Sequence, residues 1–520
     1  MSVADPHLML AFEGTEVPDW LRERLAKSPP AGVTLFREWN MESPGQVAEL
    51  TGALQEANSS DLPLLIAADQ EGGQLIGLTG STPFGGNMAL GATGDVELAR
   101  AVATAMASEL AAVGINVNYA PAADVATRAD NPSLGIRSFG EDPGSVAMLT
   151  GAMVTGFREG GVMTTVKHFP GKGEARVDPH YELPLLDLDR DRLDSVELPP
   201  FRAAFEAGSE LLMMGHYVVP AITGSAEVPI SASPRGIDGF VRDEMHFGGL
   251  VITDALDMGA LDQGPAQVVE IISMMRGGTD LLLCMPDPEL QERVRVAVDK
   301  GVSRDLIPEE ALARSRRRIE ALRAGRPQPR LRPEIVGNSE LADELARRSV
   351  TLVRNDEGLL PLRLDPAAKI LSLEPVPRNV TPADTTALYP PSMATSLRRH
   401  HPAVTEIVYP HDPDHTVISG AISAADHHDV VVIGTVTASQ GQADLVRGLL
   451  ESGKLLVTVA LRTPYDLAAY PDSRAHLCTY GAHHPTLEAL ASVLFGKEKP
   501  QGRLPVSIPG LYQRGHGIAW

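Results

Sequence analysis

The sequence predicts an α/β protein in two parts, a (β/α)8 barrel of TIM type followed by a smaller α/β sandwich domain. Three observations carry this reading. Eight short apolar runs recur before about residue 290, each bounded by turn formers and followed by a stretch with helical apolar spacing. The runs are continuous rather than alternating, which suits strands buried on both faces of a parallel sheet. A Pro- and Arg-rich break at 323–333, RAGRPQPRLRP, then precedes a second alternation of strands and helices. The expected division is 1–322 for the barrel, 323–339 for a linker and 340–520 for the sandwich.

In order, the barrel runs are LMLAF (8–12), GVTLF (32–36), PLLIAAD (63–69), INVNYAP (115–121), VMTTVKH (162–168), ELLMMGH (210–216), GLVITD (249–254) and TDLLLC (279–284). Barrels of this kind take ~250 residues, so the number and length agree. The clearest crossover helices are 96–113, 143–159 and 198–207. A doubly wound open sheet is the structural alternative at this length. Beyond the break come KILSL (369–373), TEIVY (405–409), DVVVIGT (429–435), LLVTVAL (455–461) and HLCTY (476–480), separated by helical stretches such as 442–451 and 486–495. Five strands in that order suggest an open sheet between helix layers.

Composition narrows the function classes. Among 520 residues, 45 basic side chains face 67 acidic ones, a formal net charge of −22, which disfavours nucleic acid and anionic membrane surfaces as partners. With 43% apolar and 22% charged residues the chain is far from the disordered classes. Cys284 and Cys478 each sit in an apolar run and read as buried structural thiols, with no local support for a zinc site or a catalytic thiol. The start, MSVADPHLMLAF, lacks a basic segment followed by an apolar one, and no run approaches the ~20 apolar residues of a membrane span. A cytoplasmic monomer or homodimer without cofactor or metal, acting on a small molecule, is the expectation.

Barrel enzymes carry their chemistry at the carboxyl ends of the strands. Those ends offer Asp69, Asp124, Lys167 with His168, His216 and Asp254. Any one of them alone would more often be a satisfied structural group, but their concentration at one rim raises the odds of a site.

The segment KHFPGKGEARVDPHYELP (167–184) is the most informative. Its glycines exclude a helix. Pro179 pushes Asp178 into the extended region, where side chains at i and i+2 point the same way. Asp178 can then accept a hydrogen bond from one ring nitrogen of His180 and leave the other facing a pocket, the Asp–His half of a triad without its serine. From spacing alone, a loop histidine with a fortuitous acidic neighbour is the commoner outcome. Zinc held by His168, His180 and Asp178 is a third reading and ranks low, since the short-spaced His pairs of zinc motifs are missing.

In GGLVITDALDMGA (248–260), Asp254 ends a hydrophobic strand where a carboxylate has no apolar reason to be. It can serve as a nucleophile toward an electrophilic carbon, or cap a following helix. Asp257, inside the expected helical turn, is weaker for either role.

Together DQEGG (69–73), NPSLGIRSFGEDP (131–143), KHFPGKG (167–173), DPH (178–180) and VITDALDMGA (251–260) resemble glycoside hydrolase family 3, and within it the β-N-acetylglucosaminidase branch. ARRSVTLVRNDEGLLPL (346–362), ALRTPYDL (460–467) and GRLPVSIP (502–509) are similar to the carboxyl-terminal sandwich of its two-domain members. The resemblance implies a retaining exo-acting β-N-acetylhexosaminidase that releases terminal N-acetylglucosamine from chitooligosaccharides or peptidoglycan fragments. It implies Asp254 as nucleophile, His180 as general acid and base, Asp178 as the residue that orients it, and Asp69, Arg137, Lys167 and His168 as ligands of the sugar hydroxyls, with His216 beside them at the strand ends.

Three departures stand out. The family commonly has His where this chain has Lys172 and Ser where it has Pro179, and it usually carries Arg where this chain has Gln74 and Gly77. One substrate contact is therefore expected to be missing. A β-glucosidase or β-xylosidase, or a β-N-acetylglucosaminide phosphorylase of the same family, is the enzymatic alternative. A sugar-binding protein on a decayed scaffold is the alternative from another class, though a binder needs no nucleophile. His483 and His484 read as part of a solvated loop in the second domain.

Overall fold

The structure is a computed structural model that describes residues 2–325 and 330–520, so residues 326–329 of the expected linker lie outside the described residues. In chain order the first part contains β1 (Leu8–Ala11), β2 (Gly32–Thr34), β3 (Leu65–Ala68), a hairpin of β4 (Gln70–Gly72) and β5 (Leu75–Ile76), then β6 (Val117–Asn118), β7 (Met163–Phe169), β8 (Leu211–Met214), β9 (Leu250–Thr253) and β10 (Leu282–Cys284). Apart from the hairpin these strands form one parallel sheet in the order β10-β1-β2-β3-β6-β7-β8-β9. Its ends meet through a parallel bridge between Ile252 and Leu281, and the Thr253 N–H donates to the Leu281 carbonyl at 3.1 Å. The sheet thereby closes on itself as a barrel.

Alternation within the strands explains why the runs are apolar throughout. Met9, Leu65, Ala67, Val117, Met163, Leu211, Met213, Leu250, Ile252, Leu281 and Leu283 pack together inside the barrel. Their neighbours Leu8, Leu10, Ile66, Ala68, Leu282 and Cys284 join the layer between sheet and helices. Among the crossover helices, Val96–Ala112 and Pro143–Glu159 start where Asp95 and Asp142 accept the N–H groups of Leu98 and Ser145. Proline at the first turn of the second of these costs no hydrogen bond. The helix Pro199–Glu206 completes the expected set.

The second sheet has six strands rather than five: β11 (Thr351–Asn355), β12 (Ile370–Pro375), β13 (Val404–Tyr409), β14 (Val430–Thr435), β15 (Leu455–Ala460) and β16 (Ala475–Cys478), in the order β11-β16-β15-β14-β12-β13. The additional β11 runs antiparallel to β16 and follows directly on the helix Ser339–Ser349, so no strand-helix repeat announces it. One face, with Leu371, Leu373, Val431 and Ile433, receives the helices His415–Ala425 and Gln440–Glu451. The other, with Val430, Val432, Val457 and Val459, receives Met393–Arg398 and His484–Leu494. Cys284 and Cys478 are buried and unpaired. Among the described residues, no helix is long and apolar enough to cross a membrane.

Candidate active site

A cleft of about 420 Å³ opens at the carboxyl ends of the barrel strands, and Asp69, Arg137, Lys167, His168, His180 and Asp254 all line it. Its floor is an ion network centred on Glu71, which stands two residues after Asp69 in the hairpin that follows β3. Both Glu71 oxygens accept from Arg137, from Nη2 at 2.8 Å and Nε at 2.9 Å. Lys167, at the end of β7, pairs with the same carboxylate at 2.7 Å and with Asp69 at 2.5 Å. Burial opposes ionisation of Glu71, but Arg137 and Lys167 outweigh it and hold the carboxyl down at about 2. Sequence reasoning missed Glu71; side chains at i and i+2 of an extended segment share a side, and that was the available signal.

His168 is committed on both ring nitrogens. Nδ1 donates to Asp124 Oδ2 at 2.8 Å, so Nε2 accepts from Arg137 Nη2 at 3.0 Å. Burial, reinforced by the charges of Lys172 and Arg137, pushes its pKa well below the usual value, and the ring is neutral. These bonds leave neither nitrogen for a metal shared with His180.

The Asp178–His180 pair forms as the spacing suggested. His180 Nδ1 donates to Asp178 Oδ1 at 2.6 Å, and the His180 backbone N–H donates to the same oxygen at 3.0 Å. Burial pushes Asp178 up, yet the hydrogen bonds and charge of His180 leave it below the ordinary value. Among the described residues no protein partner takes His180 Nε2.

The loop bearing this pair is tied to the loop after β9. The Gly259 N–H donates to the His180 carbonyl at 2.9 Å, and the Ala260 N–H to the Pro179 carbonyl at 3.0 Å. Asp254 opens that second loop and accepts the Ala255 N–H at 2.9 Å. No helix starts there, since the next ones are the turn Gly264–Ala266 and the helix Gln267–Arg276, so Asp254 is not a helix cap. Asp257 also lines the cleft, on an exposed turn rather than in a helix.

His216 takes a different place. It is fully buried, accepts from Ser231 at 2.7 Å and donates to the Ala255 carbonyl at 3.2 Å. It lies behind the residue that follows Asp254 and does not line the cleft.

The second domain supplies one wall, which no sequence pattern indicated: Pro382, Ala383, Asp384 and Thr385 line the cleft opposite the barrel. Thr385 is held by the hairpin, its N–H donating to the Gln74 carbonyl at 2.7 Å and its Oγ1 accepting the Ile76 N–H at 3.0 Å. The Gln74 side chain accepts from Arg462 at 2.8 Å and donates to the Ala383 carbonyl at 3.1 Å. Position 74 thus serves the domain contact. A Cβ at Gly77 would stand 2.4 Å from the Asp69 carbonyl, so a larger residue there would need the backbone to move. His483 is not solvated: it is buried, and Nε2 donates to the Gly73 carbonyl at 2.6 Å. His484 begins the last helix.

Comparison with known proteins agrees with this architecture. Residues 9–322 match the glycosyl hydrolase family 3 N terminal domain, and residues 350–514 the glycosyl hydrolase family 3 C-terminal domain. The chain is 32% identical to beta-hexosaminidase A of Pseudoalteromonas piscicida, over 95% of this chain and 92% of that protein. It superimposes on a glycoside hydrolase family 3 beta-N-acetylglucosaminidase from Paenibacillus sp. str. FPU-7 with a TM-score of 0.90 and 32% identity, over 97% of this chain and 98% of that one. A beta-glucoside phosphorylase shares the fold, with a TM-score of 0.80 at 24% identity over 97% of this chain and 92% of that one.

Proposed function

The chain belongs to glycosyl hydrolase family 3, and from that premise we propose that it is a retaining exo-β-N-acetylhexosaminidase acting on terminal N-acetylglucosamine of chitooligosaccharides or peptidoglycan fragments. The observation that carries the reading is the 2.6 Å hydrogen bond from His180 to Asp178, on a loop tied to the one that bears Asp254.

Asp254 attacks the anomeric carbon while His180 delivers the proton that lets the glycosidic oxygen leave. This forms a glycosyl ester on Asp254 and a free alcohol. His180, now neutral, takes a proton from water as the water oxygen attacks the same carbon, which frees Asp254 and inverts the centre a second time. A neutral imidazole approaching the ester avoids the repulsion that a second carboxylate would meet. Asp178 keeps the proton on Nδ1 and Nε2 toward the reacting oxygen.

Asp69, Arg137 and Lys167 hold the sugar hydroxyls through charge-assisted bonds that tighten as the oxocarbenium-like state forms. His168 aligns Arg137, and His216 positions the loop after Asp254. Trp39, the strongly exposed Tyr181 and the wall at 382–385 form the mouth, where aromatic faces suit a leaving sugar.

The test is the initial rate on para-nitrophenyl β-N-acetylglucosaminide beside the β-glucoside and β-xyloside, with and without phosphate. Preference for the acetamido sugar, lost in Asp254→Ala and His180→Ala, is the expected result. Preference for the glucoside or xyloside would overturn the substrate, and stimulation by phosphate would turn the hydrolase into a phosphorylase.

A further inference from the structure

Lys172 is a buried cation that the mechanism above does not use. It is 1% exposed, follows β7 on the glycine-rich loop, and lines the cleft together with His180 and Asp254. The other buried cations there, Arg137 and Lys167, spend their charge on Glu71 and Asp69. Lys172 does not: its backbone N–H donates to Asp124 Oδ1 at 2.8 Å, but among the described residues its ammonium group donates no hydrogen bond and forms no ion pair. An ammonium withdrawn from water without a partner is costly unless something bound makes use of it.

The surroundings select the kind of ligand. Among the charges that act on Lys172, the guanidinium of Arg137 comes first, followed by the three carboxylates of Asp124, Asp254 and Asp178. Each carboxylate is occupied elsewhere, Asp124 by His168, Asp178 by His180 and Asp254 by the Ala255 N–H. A local excess of negative charge repels a second anion and favours a neutral oxygen with free lone pairs. Depth points to the sugar that occupies the innermost subsite rather than to the leaving group.

Resting on the function proposed above, we infer that Lys172 is a further substrate-binding residue, its ammonium donating a hydrogen bond to a ring hydroxyl of the sugar held against Asp254.

A cycle of one side chain against one hydroxyl tests this. Wild type and K172M are compared on para-nitrophenyl β-N-acetylglucosaminide and its 3-, 4- and 6-deoxy forms. Loss of a hydrogen bond to a charged donor is worth about tenfold or more in kcat/KM. One deoxy substrate is expected to lose that factor with wild type and nothing further with K172M, while K172M shows the same loss on the parent sugar. Equal deoxy penalties in both proteins would overturn the assignment. If K172M does not fold, K172Q carries the same cycle. Titration calorimetry of N-acetylglucosamine and its deoxy forms separates this inference from the reaction: binding that depends on Lys172 without turnover sinks the hydrolase reading alone, and binding indifferent to Lys172 sinks this one.

Discussion

Arg137 grips Glu71 with two parallel hydrogen bonds of 2.8 and 2.9 Å, and neither side chain is more than 3% exposed. A carboxylate so deeply buried stays ionised because Arg137 and then Lys167 together outweigh the burial. The pair sets the angle at which Arg137 meets both His168 and the cleft. E71Q removes the charge but keeps the shape, and breaking a buried pair costs ~3–5 kcal/mol. The expected result is a lower urea midpoint together with reduced kcat/KM. An unchanged midpoint would mean that the network does not hold the floor of the cleft.

Asp178 governs which nitrogen of His180 carries the proton. D178N presents an amide that can donate as well as accept, so the ring is no longer held in one tautomer. A drop in kcat of about 10²-fold or more is expected, the scale of general acid–base catalysis. Because the carboxyl sits below its ordinary value in the folded chain, its contribution to stability is full above the unfolded pKa of ~3.9 and fades as pH falls through the lower folded value. Wild type should therefore exceed D178N in stability at pH 6, with the advantage shrinking as pH falls below ~3.9, which urea unfolding across that range reads directly.

Gly259 is where the loop bearing His180 and the loop bearing Asp254 touch. A Cβ there would lie 2.7 Å from the Tyr181 carbonyl and 3.0 Å from that of His180, both backbone atoms. Gly259→Ala must push the loops apart and weaken the bond from its own N–H to His180. The expected signature is a fall in kcat on the acetamido substrate with a smaller change in KM, since His180 moves while the sugar ligands stay. A fall in KM affinity alone would contradict this.

Lys172 carries a stability cost with a defined pH window. Burial, with help from Arg137, pushes it down to about 8 against the pull of Asp124, Asp254 and Asp178. Between there and the unfolded value of ~10.4 the unfolded chain holds a proton that the folded chain lacks, so stability at this site rises with pH across that interval. Below pH 8 the full cost is present. K172M should thus be more stable than wild type at pH 7, with the difference shrinking at pH 9.5, even as activity falls. A less stable K172M at pH 7 would show that the ammonium has a partner.

Much of this protein was legible in its sequence. The eight barrel strands follow from apolar runs and helical spacing, which reflect interactions within a few residues of each position. The Asp178–His180 bond follows from the extended backbone that Pro179 imposes, and Asp254 stands out because a carboxylate ends an apolar strand. The tertiary structure alone decided the rest. Glu71 meets Arg137 across 66 positions, and β11 joins β16 from the far end of the second domain. His483 turns from an expected surface residue into a buried contact with Gly73, His216 lies behind the cleft rather than in it, and the Lys172 ammonium has no hydrogen-bond or ion-pair partner among the described residues. The physical reason is the range of the forces involved. Backbone sterics and hydrophobic periodicity act locally and leave a pattern in the chain, whereas the pairing of buried charges and the seating of one domain on another depend on which distant surfaces packing brings together.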